Sequence, residues 1–364
     1  MKGGRNMVRI IFVLMLTILI VIPGLINCTP STQTTPPVVV DNHTKVNPSN
    51  GIETNITNEL PTIIETPPSF LFKWGTWGEG DGQFRFPEGI ALDSADNIYV
   101  VDSNNDRIQK FDKNGRFILK WGSSGYGPGQ FAYPIDIAVD NTGNIYVLDC
   151  FNSRVQKFDG KGRFRMKWGA FGQDAGQFNS PTGIAIDNQG KIYIADRRNK
   201  RIQKFDNNGR FLTKWSPNDN GQSFDPHDLA FDSSDNIYVA DKDNDCIQKF
   251  NSNGIFLTKW GTKGTDDGKF DEPENIAADK LNNIYVADMA NGRIQKFDSN
   301  GKFLTKWGAW GEADDQFSHP AGICIDGFNN IYIADQNNQY IKVFRSSSDS
   351  TLANPAPKIA PPIK

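Results

Sequence analysis

Apolar residues along the middle of the chain come in runs of four or five, and polar turn residues divide them. Ile98-Tyr99-Val100-Val101, Ile145-Tyr146-Val147-Leu148 and Ile192-Tyr193-Ile194-Ala195 are β-branched and aromatic, and each ends on Asp. Runs of this length bounded by Asp, Asn and Gly predict strands rather than helices. The first full set predicts strands near 89–93, 98–102, 107–112 and 116–121, with the last alternating in polarity up to Trp121. The turn Asp93-Ser94-Ala95-Asp96-Asn97 returns as Asp140-Asn141-Thr142-Gly143-Asn144 and in four further copies. Its fourth position is always Gly, Asp or Asn, residues that tolerate the left-handed backbone of a hairpin.

This pattern recurs. Trp74, Trp121, Trp168, Trp215, Trp260 and Trp307 are spaced 47, 47, 47, 45 and 47 residues apart, and a Pro follows each, from Pro87 to Pro320. A period of this size means a stacked or radial array. The phase predicts how the array closes. Phe70–Gly75 reads as a fourth strand with no first three before it, and the last repeat stops after its third strand, 340–344. The expected fold is all-β: a six-bladed β-propeller of four-stranded antiparallel blades, with the N-terminal strand completing the last blade. Closure of this kind removes exposed sheet edges.

The Pro-x-Gly-Ile-Ala-x-Asp, Tyr-Val-Ala-Asp, Arg-Ile-Gln-Lys-Phe and Gly-x-Phe elements resemble NHL repeats over residues 70–345. The resemblance implies a six-bladed propeller. It leaves function open, because such propellers include RNA-binding domains, an amidating lyase and sensor ectodomains.

Outside the repeats the composition changes. Lys2, Arg5 and Arg9 precede an uncharged run to Ile26, then Leu25-Ile26-Asn27-Cys28. A basic start and a short apolar stretch predict an export signal. The last four residues resemble a lipobox, which would make Cys28 the lipidation site; an uncleaved anchor is the alternative. Residues 1–28 are thus expected to export the chain and hold it on the outer face of a membrane or in the cell envelope. Residues 29–69, rich in Thr, Pro and Asn, and residues 346–364 are expected to be disordered. With 39 Lys+Arg against 42 Asp+Glu the chain is no general polyanion binder, so nucleic acid is not expected as a partner. The four Cys are too few for a disulfide scaffold, and Cys150, Cys246 and Cys324 are expected to be unpaired.

In a repeat, residues common to every blade build the blade, and function is sought where blades differ. Asp102 and its five equivalents, with an Asn three residues later, are expected to tie down the turn between the second and third strands. The two positions after each Pro form candidate rings at one mouth of the channel. Their breaks are Glu88, Asp136, His227, Asp228, Glu274 and Asn275, beside the shortened connection from Trp215 to Pro226. Their oxygens suit a calcium ion. Asp225-Pro226-His227-Asp228 resembles a segment that supplies a zinc ligand in amidating lyase, although the matching second and third His are missing. No bound metal is the simpler expectation. Trp77, Tyr126, Phe171 and Trp310 form an uneven aromatic rim suited to a sugar chain or a protein. The leading expectation is a monomeric, non-enzymatic module that binds a protein or glycan at the cell surface. The alternative is a metal-assisted lyase or hydrolase at the channel mouth.

Overall fold

The structure, a computed structural model, describes residues 65–217 and 224–346. Twenty-four strands pair into six antiparallel four-stranded sheets. β1 is Ser69–Trp74. Blade 1 holds β2–β5 (Pro87–Leu92, Ile98–Asp102, Arg107–Phe111, Phe117–Trp121). Blade 2 holds β6–β9 (Pro134–Val139, Ile145–Asp149, Arg154–Phe158, Phe164–Trp168). Blade 3 holds β10–β13 (Gly183–Ile186, Ile192–Asp196, Arg201–Phe205, Phe211–Trp215). Blade 4 holds β14–β17 (Pro226–Phe231, Ile237–Asp241, Cys246–Phe250, Phe256–Trp260). Blade 5 holds β18–β21 (Pro273–Ala278, Ile284–Asp288, Arg293–Phe297, Phe303–Trp307). Blade 6 holds β22–β24 (Pro320–Ile325, Asn330–Asp335, Tyr340–Arg345), and β1 pairs with β24 in the register Phe70↔Phe344 and Trp74↔Ile341. The closure read from the repeat phase is therefore present, with β1 starting one residue earlier than expected.

Burial explains the strand composition. Every second strand is buried at all five residues from its Ile or equivalent to its Asp, because it is covered on both faces by neighbouring blades. The fourth strands of blades 1 and 2 alternate between half-buried and exposed, as an outer strand with one wet face must. The cores lie between blades. One cluster joins Tyr99, Val101 and Ile108 of blade 1 to Ile137, Val147 and Phe158 of blade 2. Trp121 meets Tyr99 edge-on at 6.2 Å and Phe158 of the next blade at 5.8 Å. The repeated Trp is thus a seam residue between blades. Cys150, Cys246 and Cys324 are free thiols. Cys28 and most of the shortened 216–225 connection lie outside the described residues. Among the described residues, no helix is long and apolar enough to cross a membrane.

The expected turn hub is observed. Asp102 Oδ1 accepts from the Arg85 amide at 2.7 Å, and its Oδ2 accepts from Asn105 Nδ2 at 2.9 Å and Arg107 Nε at 2.6 Å. Arg107 then donates to the carbonyls of Glu79, Gly80 and Gln83, at 2.5, 2.8 and 2.9 Å. The brace therefore runs to the loop entering the same blade, not to the neighbouring blade. In blade 6, where Tyr340 replaces the Arg, Lys342 reaches Asp335 at 2.9 Å and the loop carbonyls of Ala313 and Gln316. In blade 4, Cys246 replaces the Arg, while Gln248 still donates to Asp241 at 2.6 Å.

Candidate functional site at the channel mouth

Each first strand starts at the face that also carries the loops entering the blades and the turns after the second strands. The six residues predicted for the mouth fall into two layers. Asp136, Asp228 and Asn275 lie one residue further along their strands and fasten neighbouring first strands together. Asp136 Oδ2 accepts from the Ile184 amide at 2.7 Å, Asp228 Oδ2 from the Ile276 amide at 3.1 Å, and Asn275 Oδ1 from the Ile323 amide at 2.9 Å. The blades between them carry Gly at this position, and a Cβ on Gly89 would lie 2.3 Å from Asp136 Oδ1. Burial pushes the Asp136 carboxyl up to about 7, and burial together with the Asp136 charge raises Asp228 well above the usual carboxylate range.

Glu88, His227 and Glu274 form the outer layer, and the structure adds partners to them. Glu274 Oε1 accepts from Lys242 Nζ at 2.5 Å, and Oε2 lies 2.9 Å from His319 Nε2. His227 Nδ1 lies 2.9 Å from the Glu274 carbonyl oxygen, and its Nε2 is 3.9 Å from Glu274 Oε1. Glu88 Oε1 accepts from Tyr133 Oη at 3.1 Å and from Gln336 Nε2. Arg197 closes the blade 3–4 side with a two-pronged pair to Asp225, the shortest contact being 2.8 Å. The mouth is therefore a belt of buried polar groups paired largely with one another, while Gln336 Oε1 has no hydrogen-bond partner among the described residues.

The belt divides the proton affinities of its carboxyls. Burial, reinforced by the nearby Glu274 charge, pushes Glu88 up to about 8. Glu274 is buried too, but Lys242, His319 and His227 hold it well below the usual carboxylate range. Burial lowers His227 to about 4, while the Glu274 carboxylate lifts His319 above its ordinary value despite burial. Burial without a cation thus favours the protonated form of Glu88, and the cationic neighbours of Glu274 favour its ionised form, within the same belt. Among the described residues, no three His, Cys, Asp or Glu side chains gather in an arrangement that could hold a metal ion.

Glu88 has a testable signature. Its folded-state value of about 8 exceeds the ordinary 4.5, so the folded chain keeps a proton that the unfolded chain releases across that window. Its contribution to stability therefore falls as pH rises from 4.5 to 8. Glu88→Gln keeps an acceptor oxygen and removes this titration. Thermal unfolding of the variant is expected to match wild type near pH 5 and to gain a few kcal/mol, on the order of 3, at pH 9. An equal shift at both pH values would contradict a raised Glu88.

Several belt members lie outside the two candidate rings: Tyr133, Arg197, Lys242, Gln336 and His319. A signal existed. The residue after each second-strand Asp reads Ser103, Cys150, Arg197, Lys242, Met289, Gln336, as irregular as the rings that were chosen. The position before each Pro, which holds Tyr133, Asp225 and His319, is equally irregular.

The aromatic rim lies on the same face, with one change of register. Trp77, Phe171 and Trp310 occupy equivalent positions, each bridged to a buried Phe; Ser124 and Lys263 hold that place in blades 2 and 5. Tyr126 sits two residues further along its loop. Trp77, Tyr126, Phe171 and Trp310 are 57, 64, 74 and 47% exposed. Trp310 is pinned by an indole N–H bond of 2.9 Å to the Ala290 carbonyl, and the Arg85 guanidinium lies 5.2 Å from the Trp77 ring. These loops enter blades 6, 1, 2 and 3, so the exposed rings follow one another around an arc.

Comparison with known proteins agrees with this architecture. A family model described as a six-bladed β-propeller matches residues 89–159, and the NHL-repeat model matches 178–205, 225–250 and 270–297. Protein brain tumor of Drosophila melanogaster is 38% identical over 71 residues, which are 17% of this chain and 7% of that protein. Among solved structures, a protein of unknown function from Bacteroides thetaiotaomicron superposes with a TM-score of 0.61 at 17% identity, covering 76% of this chain and 75% of that one. Virginiamycin B lyase from Staphylococcus aureus gives 0.55 at 13% identity, covering 76% of this chain and 98% of the lyase. At such identities the likeness concerns the fold alone. The chain is a six-bladed β-propeller that carries NHL repeats.

Proposed function

We propose that this chain is a non-enzymatic recognition module, exported and held at a membrane surface through Cys28 or the apolar segment before it, that captures a protein or glycan on the mouth face. The observation that carries the reading is the arc of four exposed aromatic rings on consecutive blades, next to a polar belt that is already internally paired. Exposed rings clustered on one face are unusual unless something docks there. The belt supplies the floor of this site, with Glu88, His227 and Glu274 at its centre and Asp136, Asp228 and Asn275 holding the strands beneath. The competing reading, a metal-assisted lyase or hydrolase, requires Glu274 to release Lys242 and His319 before it could serve a calcium or zinc ion.

The test uses full-length protein with envelope glycan and envelope protein of the source cells, each immobilised separately. Trp77→Ala with Trp310→Ala is expected to reduce capture of one of them at least tenfold, about 1.4 kcal/mol. The melting temperature should move little, because both rings are largely outside the core. Undiminished capture by the double variant would remove the rim from the site.

A further inference from the structure

The belt uses one arrangement twice, with different chemistry. Glu274 of blade 5 meets Lys242, the residue after the second-strand Asp of blade 4, and His319, the residue before Pro320 of blade 6. Glu88 of blade 1 meets the residues in the same two places, Gln336 of blade 6 and Tyr133 of blade 2. The third neighbour of Glu274 is His227, the residue after Pro226 in the preceding blade. The corresponding residue before Glu88 is Ala321. The ammonium and two imidazoles around Glu274 thus become an amide, a phenol and a methyl group around Glu88. Among the described residues, no ion pair reaches Glu88. Unmet oxygens gather on the same side. Gln336 Oε1 has no partner, and neither has Ser103 Oγ, on the turn after the second strand of the blade that carries Glu88. Gln336 and Ser103 are 1 and 0% exposed.

We propose that the Glu88 side of the belt takes the side chain of a lysine from a protein partner, its ammonium standing to Glu88 as Lys242 stands to Glu274. The inference rests on the mouth face being the capture surface, and it names what that face selects. An ammonium carries three donors and no acceptor, and the Glu88 carboxyl, Gln336 Oε1 and Ser103 Oγ all accept. Glu88 is only 9% exposed, so the group that reaches it needs a slim stem. The four-carbon stem of lysine supplies one. The amine of an amino sugar is fixed to its ring, and a guanidinium is broad and planar. Ala321 withdraws the ring that His227 places against Glu274. The approach also favours a cation. On the loop entering blade 6, Asp314 pairs with Lys73, but Glu312 and Asp315 have no ion pair among the described residues. Unpaired carboxylates beside a mouth draw positive charge toward it. Burial without a cation pushes Glu88 up to about 8, and a bound ammonium redresses that imbalance.

The repeated arrangement supplies the test. Gln336→Lys rebuilds at Glu88 the pair that Lys242 makes with Glu274, so the protein's own ammonium should occupy the site. Glu88→Gln is a second variant; it keeps the shape and removes the carboxylate. Full-length protein is titrated calorimetrically with the peptide acetyl-Gly-Lys-Gly-amide, with the same peptide acetylated at the lysine Nε, and with glucosamine. Wild type is expected to bind the lysine peptide at least tenfold more tightly than either of the others. Gln336→Lys and Glu88→Gln should each lose at least tenfold toward it. Acetylating the lysines of immobilised envelope protein should reduce its capture by wild type to a similar degree. The proposal is overturned if wild type does not bind the lysine peptide, or binds glucosamine or the acetylated peptide as tightly. It is equally overturned if either variant, shown to be folded, binds the lysine peptide as well as wild type. The two readings fail separately. Capture that depends on Trp77 and Trp310 but shows no preference for lysine leaves the face standing and removes only this site.

Discussion

Removing residues 1–76 is expected to unfold or aggregate the propeller, whereas removing residues 1–64 leaves it folded. The difference is β1. It supplies the fourth strand of blade 6, pairing with β24 from Ser69↔Arg345 to Trp74↔Ile341. Phe72 is buried, Phe70 meets Phe344 at 5.7 Å, and Trp74 lies 5.6 Å from Phe111 of blade 1, sealing the seam where the ring closes. Burial of each large apolar side chain stabilises by about 1.5–3 kcal/mol. Loss of three, plus five ladder positions, is comparable to the whole stability of an ordinary domain. The truncated chain would also expose β24, whose Ile341, Val343 and Phe344 are buried, as a free hydrophobic edge. The shorter deletion spares Glu65, whose amide donates to the Leu304 carbonyl at 2.9 Å and whose carboxylate pairs with Lys296 at 2.5 Å. Melting temperature and soluble yield of the two truncations decide the matter, and equal values would mean that β1 is dispensable.

The second large effect is expected at the turn hub. Asp196 is fully buried and pairs with Arg201 Nε at 2.7 Å, while the same guanidinium holds the carbonyls of Gln173, Asp174 and Gln177 at 2.6, 2.9 and 2.8 Å. Arg201→Ala leaves a buried carboxylate short of its cation and three loop carbonyls short of their donors. Breaking a buried pair from one side costs about 3–5 kcal/mol. At this chain length that corresponds to roughly 10 °C in melting temperature. Blade 4 supplies the control. Cys246 stands where the Arg would be, so Cys246→Ala removes only a small buried thiol and should cost below about 1.5 kcal/mol. Urea or thermal unfolding of both variants checks the contrast. Similar losses would show that the guanidinium contributes little beyond its packing.

The repeated features were legible because each was written six times. The Ile-Tyr-Val strands, the Asp–Asn turn hub and the missing first three strands before Phe70 follow from local pattern and phase. The closed ring then adds what one repeat cannot show, which is contact between positions of different blades. Lys242 reaches Glu274, His319 reaches Glu274, and Gln336 reaches Glu88 only because curvature brings blades 4, 5, 6 and 1 to one mouth. Glu88 and Glu274 were found by their departure from the repeat, but their opposite protonation was not. It depends on which of the two gained cationic neighbours. The rim is uneven in register as well as in composition: Tyr126 is the aromatic residue of its loop, but Ser124 occupies the place equivalent to Trp77. Asp136, Asp228 and Asn275 look like ligands in a sequence, yet the carboxylates and amide reach neighbouring backbone N–H groups, which carry no side-chain signature.

The central claim is that ligand is captured on the face of the aromatic arc. Hydroxyl-radical footprinting of full-length protein, free and bound to the envelope fraction that retains it, tests this directly. Trp77, Tyr126, Phe171 and Trp310 are all well exposed in the free chain and react readily as residue types, and Leu281 and Phe328, 68 and 42% exposed on the opposite face, serve as references. Binding is expected to protect the four rim rings while leaving Leu281 and Phe328 as reactive as before. Unchanged reactivity at all four rings, with protection of the opposite face, would contradict the account.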